Sequence, residues 1–260
     1  MIELKNKTAW IAGGGRGIGR AIAEKLASNG ATVVCGSRTI SEVNEVAAGI
    51  AASGGRAHGA ALDVTGRASV QAFVAAAENF AGFPDILVYC AGINIRQPAE
   101  DYSDDAWLRV LDVNLNGAFR FLQEAGRRMI AAGKGGSIVT ITSMLSHYAT
   151  PNQSAYAASK GGLLLYSRLL AVEWAKYNIR VNSVSPGYIE TPLNAEARKQ
   201  ASFTGNILVA TPLKRFGSCA EVAEAVCWLA SPAASFVTGS DLGVDGGVLN
   251  SRPAIVARTA

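Results

Sequence analysis

The stretch Ala12-Gly13-Gly14-Gly15-Arg16-Gly17-Ile18-Gly19 decides the fold. It follows the apolar run Thr8-Ala9-Trp10-Ile11 and leads into a segment of helical period from Arg20 to Ala27, so the order is strand, glycine turn, helix. Glycines at a strand end let the backbone turn sharply and come close to a pyrophosphate. The N–H groups and positive dipole of the next helix meet the phosphate charge. A dinucleotide is therefore expected at this turn, against Gly13, Gly15, Arg16, Gly17, Ile18 and Gly19. The spacing is Gly-x-x-x-Gly-x-Gly, and no register completes Gly-x-Gly-x-x-Gly. Taken alone, such a turn can also serve only to pack a helix on a strand.

Outward from the turn, short apolar runs alternate with longer helical segments, the pattern of a parallel sheet with crossover helices. Strands are predicted at 8–13, 32–36, 56–63, 85–90, 137–142, 180–185 and 241–244, and helices at 17–29, 41–53, 67–81, 104–132, 154–177 and 220–230. This is an α/β chain read as one doubly wound Rossmann domain over residues 1–260, with a seven-stranded parallel sheet. Residues 191–214 interrupt the alternation between Pro192 and Pro212 and are expected to form a mobile substrate lid.

Bulk composition narrows the class. Hydrophobic residues are 49% and charged residues 17% of the 260, which is a globular balance. The net charge is +4, but the 24 Lys and Arg are scattered, so nucleic acid is not expected as a partner. Cys35, Cys90, Cys219 and Cys227 form no Cys-x-x-Cys pair and there are only two histidines, so neither a metal site nor a disulfide framework is expected. No apolar run is long enough to span a bilayer and the amino terminus does not read as a signal peptide. The expectation is a soluble cytoplasmic protein without a membrane partner.

Two further patterns carry chemistry. Tyr156-Ala157-Ala158-Ser159-Lys160 lies on a predicted helix, where residues four apart share a face, and a neighbouring ammonium favours a phenolate. Ser143, upstream at a predicted strand's carboxyl end, is placed to hold a substrate oxygen. The second pattern is the end of the second strand, Val33-Val34-Cys35-Gly36-Ser37-Arg38. A chain that binds NAD usually has Asp or Glu here for the adenosine 2′-hydroxyl. Ser37 and Arg38 instead suit a 2′-phosphate, and Arg16 can close on it from the other side, so NADP(H) is the expected cofactor.

From about Lys5 to Gly247 the chain resembles the short-chain dehydrogenase/reductase family. The resemblance implies hydride transfer between a nicotinamide and a ketone or secondary alcohol, with Asn114, Ser143, Tyr156 and Lys160 as the catalytic set. Asn114 would support a water-linked proton path to the lysine. It also implies cofactor contacts from Asp63 and Val64 near the adenine, Ala91 and Gly92 after the fourth strand, Pro186 and Gly187 beside the nicotinamide, and Tyr156 and Lys160 themselves. Where the family usually has Asn-Asn-Ala-Gly, this chain has Tyr89-Cys90-Ala91-Gly92, which is expected to loosen the cofactor site, and Ala12 replaces a usual Thr.

Gly92-Ile93-Asn94-Ile95-Arg96 and Ser143-Met144-Leu145-Ser146 resemble the gluconate 5-dehydrogenase branch, whose small-molecule substrates are sugar acids. Arg96 can pair a carboxylate and His147 can reach a substrate hydroxyl. Two alternatives stay open: a 3-oxoacyl-carrier-protein reductase or other ketone reductase, for the first of which Arg127-Arg128 is a faint basic patch, and an idle NADP(H)-binding sensor or assembly subunit. A homo-oligomer, dimer or tetramer, is implied through the helices at 104–132 and 154–177, with Ala118, Phe119, Leu164, Leu165 and Leu169 available for a second face. The tail after Gly247 is expected either to be disordered or to reach a neighbouring subunit.

Overall fold

Along β1 (Thr8–Ala12), Ala9 and Ile11 face one apolar core while Trp10 and Ala12 face another. A strand whose alternate residues are buried on both sides must lie inside a sheet covered on both faces. The computed structural model describes residues 2–251 and shows that sheet. Beside β1 run β2 (Thr32–Ser37), β3 (Arg56–Ala61), β4 (Ile86–Tyr89), β5 (Gly136–Ile141), β6 (Ile179–Pro186) and β7 (Asp241–Val244). All pairings are parallel, in the order β3-β2-β1-β4-β5-β6-β7.

The helices are α1 (Gly17–Ser28), α2 (Ile40–Ala52), α3 (Arg67–Ala81), α4 (Asp104–Leu111), α5 (Gly117–Ala132), α6 (Ser154–Trp174), α7 (Ala195–Arg198), α8 (Ala201–Ala210) and α9 (Cys219–Ala230). Ile22 and Leu26 of α1, Val43 and Val46 of α2, and Val222 and Val226 of α9 fill one core. Phe73 of α3, Phe121 of α5 and Leu163 of α6 fill the other. The strand order reverses between β1 and β4, the switch point where open α/β sheets place their ligands beyond the strands' carboxyl ends.

One expectation is corrected: the long helix at 104–132 is broken by a π turn, Asp112–Asn116, that joins α4 to α5. Residues 191–214 carry a 3₁₀ turn (Pro192–Asn194), α7 and α8. The tail is described only as far as Ser251, with a 3₁₀ turn at Val248–Asn250, and 252–260 lie outside the described residues. Among the described residues no helix is long and apolar enough to cross a membrane.

Candidate active site

At the carboxyl ends of β1 and β4 opens a cavity of about 1010 Å³. The glycine turn forms one wall. Gly13 N and Gly14 N donate to Gly36 O at 2.8 and 3.2 Å, tying the turn to β2. Gly13 has φ +86°, and a Cβ there would stand 2.6 Å from Ala91 N; on Gly19 it would stand 1.9 Å from Gly13 O. No other residue fits this close approach. The first turn of α1 has no side-chain cap and no acidic residue, so its N–H groups are left for an anion, and the turn fits a dinucleotide pyrophosphate.

Opposite stands the polar cluster read from sequence. Lys160, on α6, is buried, and its Nζ donates to Ile141 O at 2.7 Å and lies 5.8 Å from the centre of the Tyr156 ring. Burial pushes this ammonium down to about 8. The Tyr156 phenol is moved up, chiefly by burial, while a hydrogen bond with the Ser143 hydroxyl and the Arg96 cation pull it down. Burial dominates over these opposing contacts and favours the protonated phenol.

Asn114 is fully buried in the π turn. Its Oδ1 accepts from Ile93 N at 2.8 Å, and its Nδ2 lies 2.9 Å from both Ile93 O and Ser159 Oγ. The amide thus clamps the loop after β4 to α6. Asn114 Oδ1 and Lys160 Nζ each lie 3.5 Å from the point where Gly92 would carry a Cβ, so the two groups converge on Gly92.

The loss of Asn-Asn at 89–90 does not leave the turn unbraced. Tyr89 is fully buried, and its hydroxyl donates to Val113 O within the π turn. A Cβ on Gly117 would stand 2.7 Å from that hydroxyl, so the small residue makes room for the large one. At this position a buried phenol braces the turn. Cys90 beside it is half-buried on the cavity wall, and desolvation pushes its thiol up to about 12.

Comparison with known proteins fits this geometry. Residues 12–249 match the family described as enoyl-(acyl carrier protein) reductase. The chain is 38% identical over 246 residues to a tropinone reductase homolog of Arabidopsis thaliana, covering 94% of this chain and 93% of that one. It is 35% identical over 248 residues to gluconate 5-dehydrogenase of Gluconobacter oxydans, covering 95% and 96%. The chain belongs to the short-chain dehydrogenase/reductase family.

The crystal structure of a gluconate 5-dehydrogenase from Burkholderia cenocepacia, in complex with NADP and tartrate, superposes with a TM-score of 0.92 at 37% identity, over 96% of this chain and 98% of that one. As a short-chain dehydrogenase/reductase, the protein is an oxidoreductase acting on CH–OH groups with a nicotinamide dinucleotide.

The remaining sequence-selected residues of this dehydrogenase/reductase divide into those that line the cavity and one that does not. Arg16, Ser37, Arg38, Asp63 and Val64 line the end beside the glycine turn and the carboxyl end of β2. Ser37 Oγ donates to Thr39 O at 2.9 Å, so toward the cavity it presents an acceptor. The Asp63 carboxyl is held low, mainly by the Thr65 N–H, with Arg38 adding to the effect. Ala91, Pro186, Gly187 and Arg96 line the other end. His147 is the exception, and its reading as a substrate contact is corrected. Its Nε2 lies 2.6 Å from Asp241 Oδ2, and Ser185 Oγ lies 3.0 and 2.8 Å from the two oxygens of that nearly buried carboxylate. The carboxylate draws the imidazole to β7, off the cavity wall.

Sequence reading missed several wall residues. Asn94 Nδ2 donates to Gln153 Oε1 at 2.7 Å, and Asn94 Oδ1 is buried without a partner. Asn206 and Ile207 reach the cavity from α8, and Glu42 from α2. Asn94 was legible, since it stands in the same loop as Arg96. The others depend on packing. Among the described residues, no three His, Cys, Asp or Glu are grouped to hold a metal.

Proposed function

We propose that this chain is an NADP(H)-dependent dehydrogenase/reductase that interconverts a secondary alcohol and a ketone on an anionic polyhydroxy substrate, such as gluconate and 5-ketogluconate. The observation that carries the reading is Arg96: it lines the cavity close enough to Tyr156 for its charge to lower the phenol's pKa. That guanidinium can pair with an anionic group of a substrate bound in the same cavity as the proton donor. The similarity to gluconate 5-dehydrogenases supports the same class.

In the reductive direction the bound nicotinamide supplies the hydride, and Tyr156 donates a proton to the carbonyl oxygen. Ser143 hydrogen-bonds that oxygen as charge develops on it. Lys160, fixed by Ile141 O, is placed to hold the nicotinamide ribose, and Asn114 keeps the loop at Ile93 in register with α6. Arg38 and Arg16, both on the cavity wall, favour a 2′-phosphate.

Docking of an acidic carrier protein is disfavoured. Arg128 is paired with Glu78 at 2.8 Å and lies 3.9 Å from Glu124, while Arg127 lies 3.5 Å from Glu124, so the candidate basic patch is offset by carboxylates. We infer a homo-oligomer through α5 and α6, where Phe119, Leu165 and Leu169 are exposed. Ala118 and Leu164, expected on that face, are buried inside the protomer. The free cysteines fit a cytoplasmic setting.

The test is oxidation and reduction assays over sugar acids, the matching neutral polyols and lactones, 3-oxoacyl thioesters and diketones, with wild type and Arg96→Ala. Arg96→Ala is expected to weaken binding of the acid by about 10-fold or more, and that of the neutral analogue little. Equal losses on both, or no turnover of any sugar acid, overturn the substrate assignment.

A further inference from the structure

Glu42 stands in the first turn of α2, three residues after Thr39, and Thr-x-x-Glu is the spacing of a capping box. The box is not formed at α2: the Thr39 side chain caps nothing. At α9 the equivalent pair does form it. Ser218 N donates to Glu221 Oε2 at 2.8 Å, and Glu221 N donates to Ser218 Oγ at 3.2 Å. Glu42 instead reaches across the glycine turn. The point where Gly15 would carry a Cβ lies 2.9 Å from Glu42 Oε2 and 3.2 Å from Ser37 Oγ. Its Oε1 lies 3.9 Å from Arg16 Nη1. Glu42, Ser37, Arg38 and Arg16 all line the same end of the cavity.

A carboxylate is therefore present in the adenosine pocket after all. It arrives from the helix rather than from the end of β2. We propose that Glu42 sets the cofactor ratio: its carboxylate accepts from the 2′-hydroxyl of NAD(H), opposes the 2′-phosphate of NADP(H), and competes with that phosphate for Arg16. The chain uses both cofactors, with a smaller preference for NADP(H) than Arg16 and Arg38 would give by themselves. The inference rests on reading residues 16, 37 and 38 as the 2′-phosphate site.

The experiment is direct binding, by titration calorimetry or nicotinamide fluorescence, of NADPH, NADH, adenosine 2′,5′-bisphosphate and 5′-ADP to wild type and Glu42→Gln. Glu42→Gln is expected to tighten NADPH and the bisphosphate about 10-fold while NADH and 5′-ADP hold or weaken, a scale set by one charge contact at a partly exposed site. Arg16→Met is expected to cost NADPH more in the Glu42→Gln background than in wild type, because Arg16 is then freed for the phosphate. A change below about 3-fold in the ratio of NADPH to NADH affinity, with additive effects of the two substitutions, overturns the proposal. The wild-type ratio separately tests the cofactor reading. NADH bound as tightly as NADPH sinks that reading, whereas the response to Glu42→Gln decides the role of Glu42.

Discussion

At one end of the cavity Asn114 is 0% exposed, Lys160 3% and Ser143 7%. At the other, the Arg16 side chain is 70% exposed, and it faces the Glu42 carboxylate across 3.9 Å. The buried end is fixed by hydrogen bonds that link α6 to β5 through Ile141, and α6 to the π turn and the loop after β4 through Asn114. The exposed end has charges on flexible side chains with solvent around them, where each contact is weak and adjustable. On the proposed reading, chemistry that needs fixed geometry sits where packing fixes it, and choice between two cofactors that differ by one phosphate sits where a change of side chain alters little else.

The largest break in this comparison is Tyr156→Phe. It should lower kcat by about a thousandfold, since only the transferable proton is removed, while NADPH affinity measured by fluorescence stays within about 3-fold. Turnover near wild type would remove Tyr156 from its role.

Next comes Ser37→Asp with Arg38→Ala. A lost charged hydrogen bond implies about a 10- to 150-fold fall in the NADP over NAD ratio of kcat/KM, enough to reverse the preference. An unchanged ratio would show that the phosphate is gripped elsewhere.

A smaller effect is expected from Tyr89→Phe, which leaves the Val113 carbonyl without its donor inside the π turn. It should cost about 1–3 kcal/mol of stability by denaturant titration. It should also lower kcat more than it changes KM, because Asn114 shares that turn. A loss of stability with kcat intact would make Tyr89 a packing residue only.

The smallest effect on stability concerns Lys160. Its ordinary value of 10.5 is pushed down to about 8, so between those values the unfolded chain binds more protons than the folded one. The burial cost is fully present below pH 8 and is relieved as the pH rises toward 10.5. Lys160→Met should thus abolish turnover without lowering Tm at pH 7, and its advantage should shrink at pH 10. A lower Tm at pH 7 would show that the bond to Ile141 O outweighs the cost of burying the charge.

The same contrast governs what the sequence made legible. The buried end was largely readable, because Tyr156 and Lys160 are one helical turn apart and Ser143 ends a strand, both local relations. The strands were readable for the same reason: their apolar runs and turn residues are local. The π turn left no mark on the helical period through Leu111 and Gly117. Helices α7 and α8 were hidden because Pro192 and Pro212 bracket polar and small residues that read as a break in the alternation. His147 meets Asp241 across 94 positions, and Glu42 meets Gly15 only because α2 packs beside the turn. Such pairings are products of the fold and carry no periodic signature.

If the two ends are separate in function, the chemical step should be indifferent to the 2′-phosphate. The most direct measurement is the single-turnover rate of nicotinamide oxidation at saturating NADPH and at saturating NADH, in wild type and in Ser37→Asp with Arg38→Ala, using the best acid found in the substrate assays. The rates should agree within about 3-fold across all four cases while the dissociation constants change places. A rate that falls 10-fold or more with the substituted adenosine end would contradict the account, because cofactor choice and proton transfer would then share one piece of machinery.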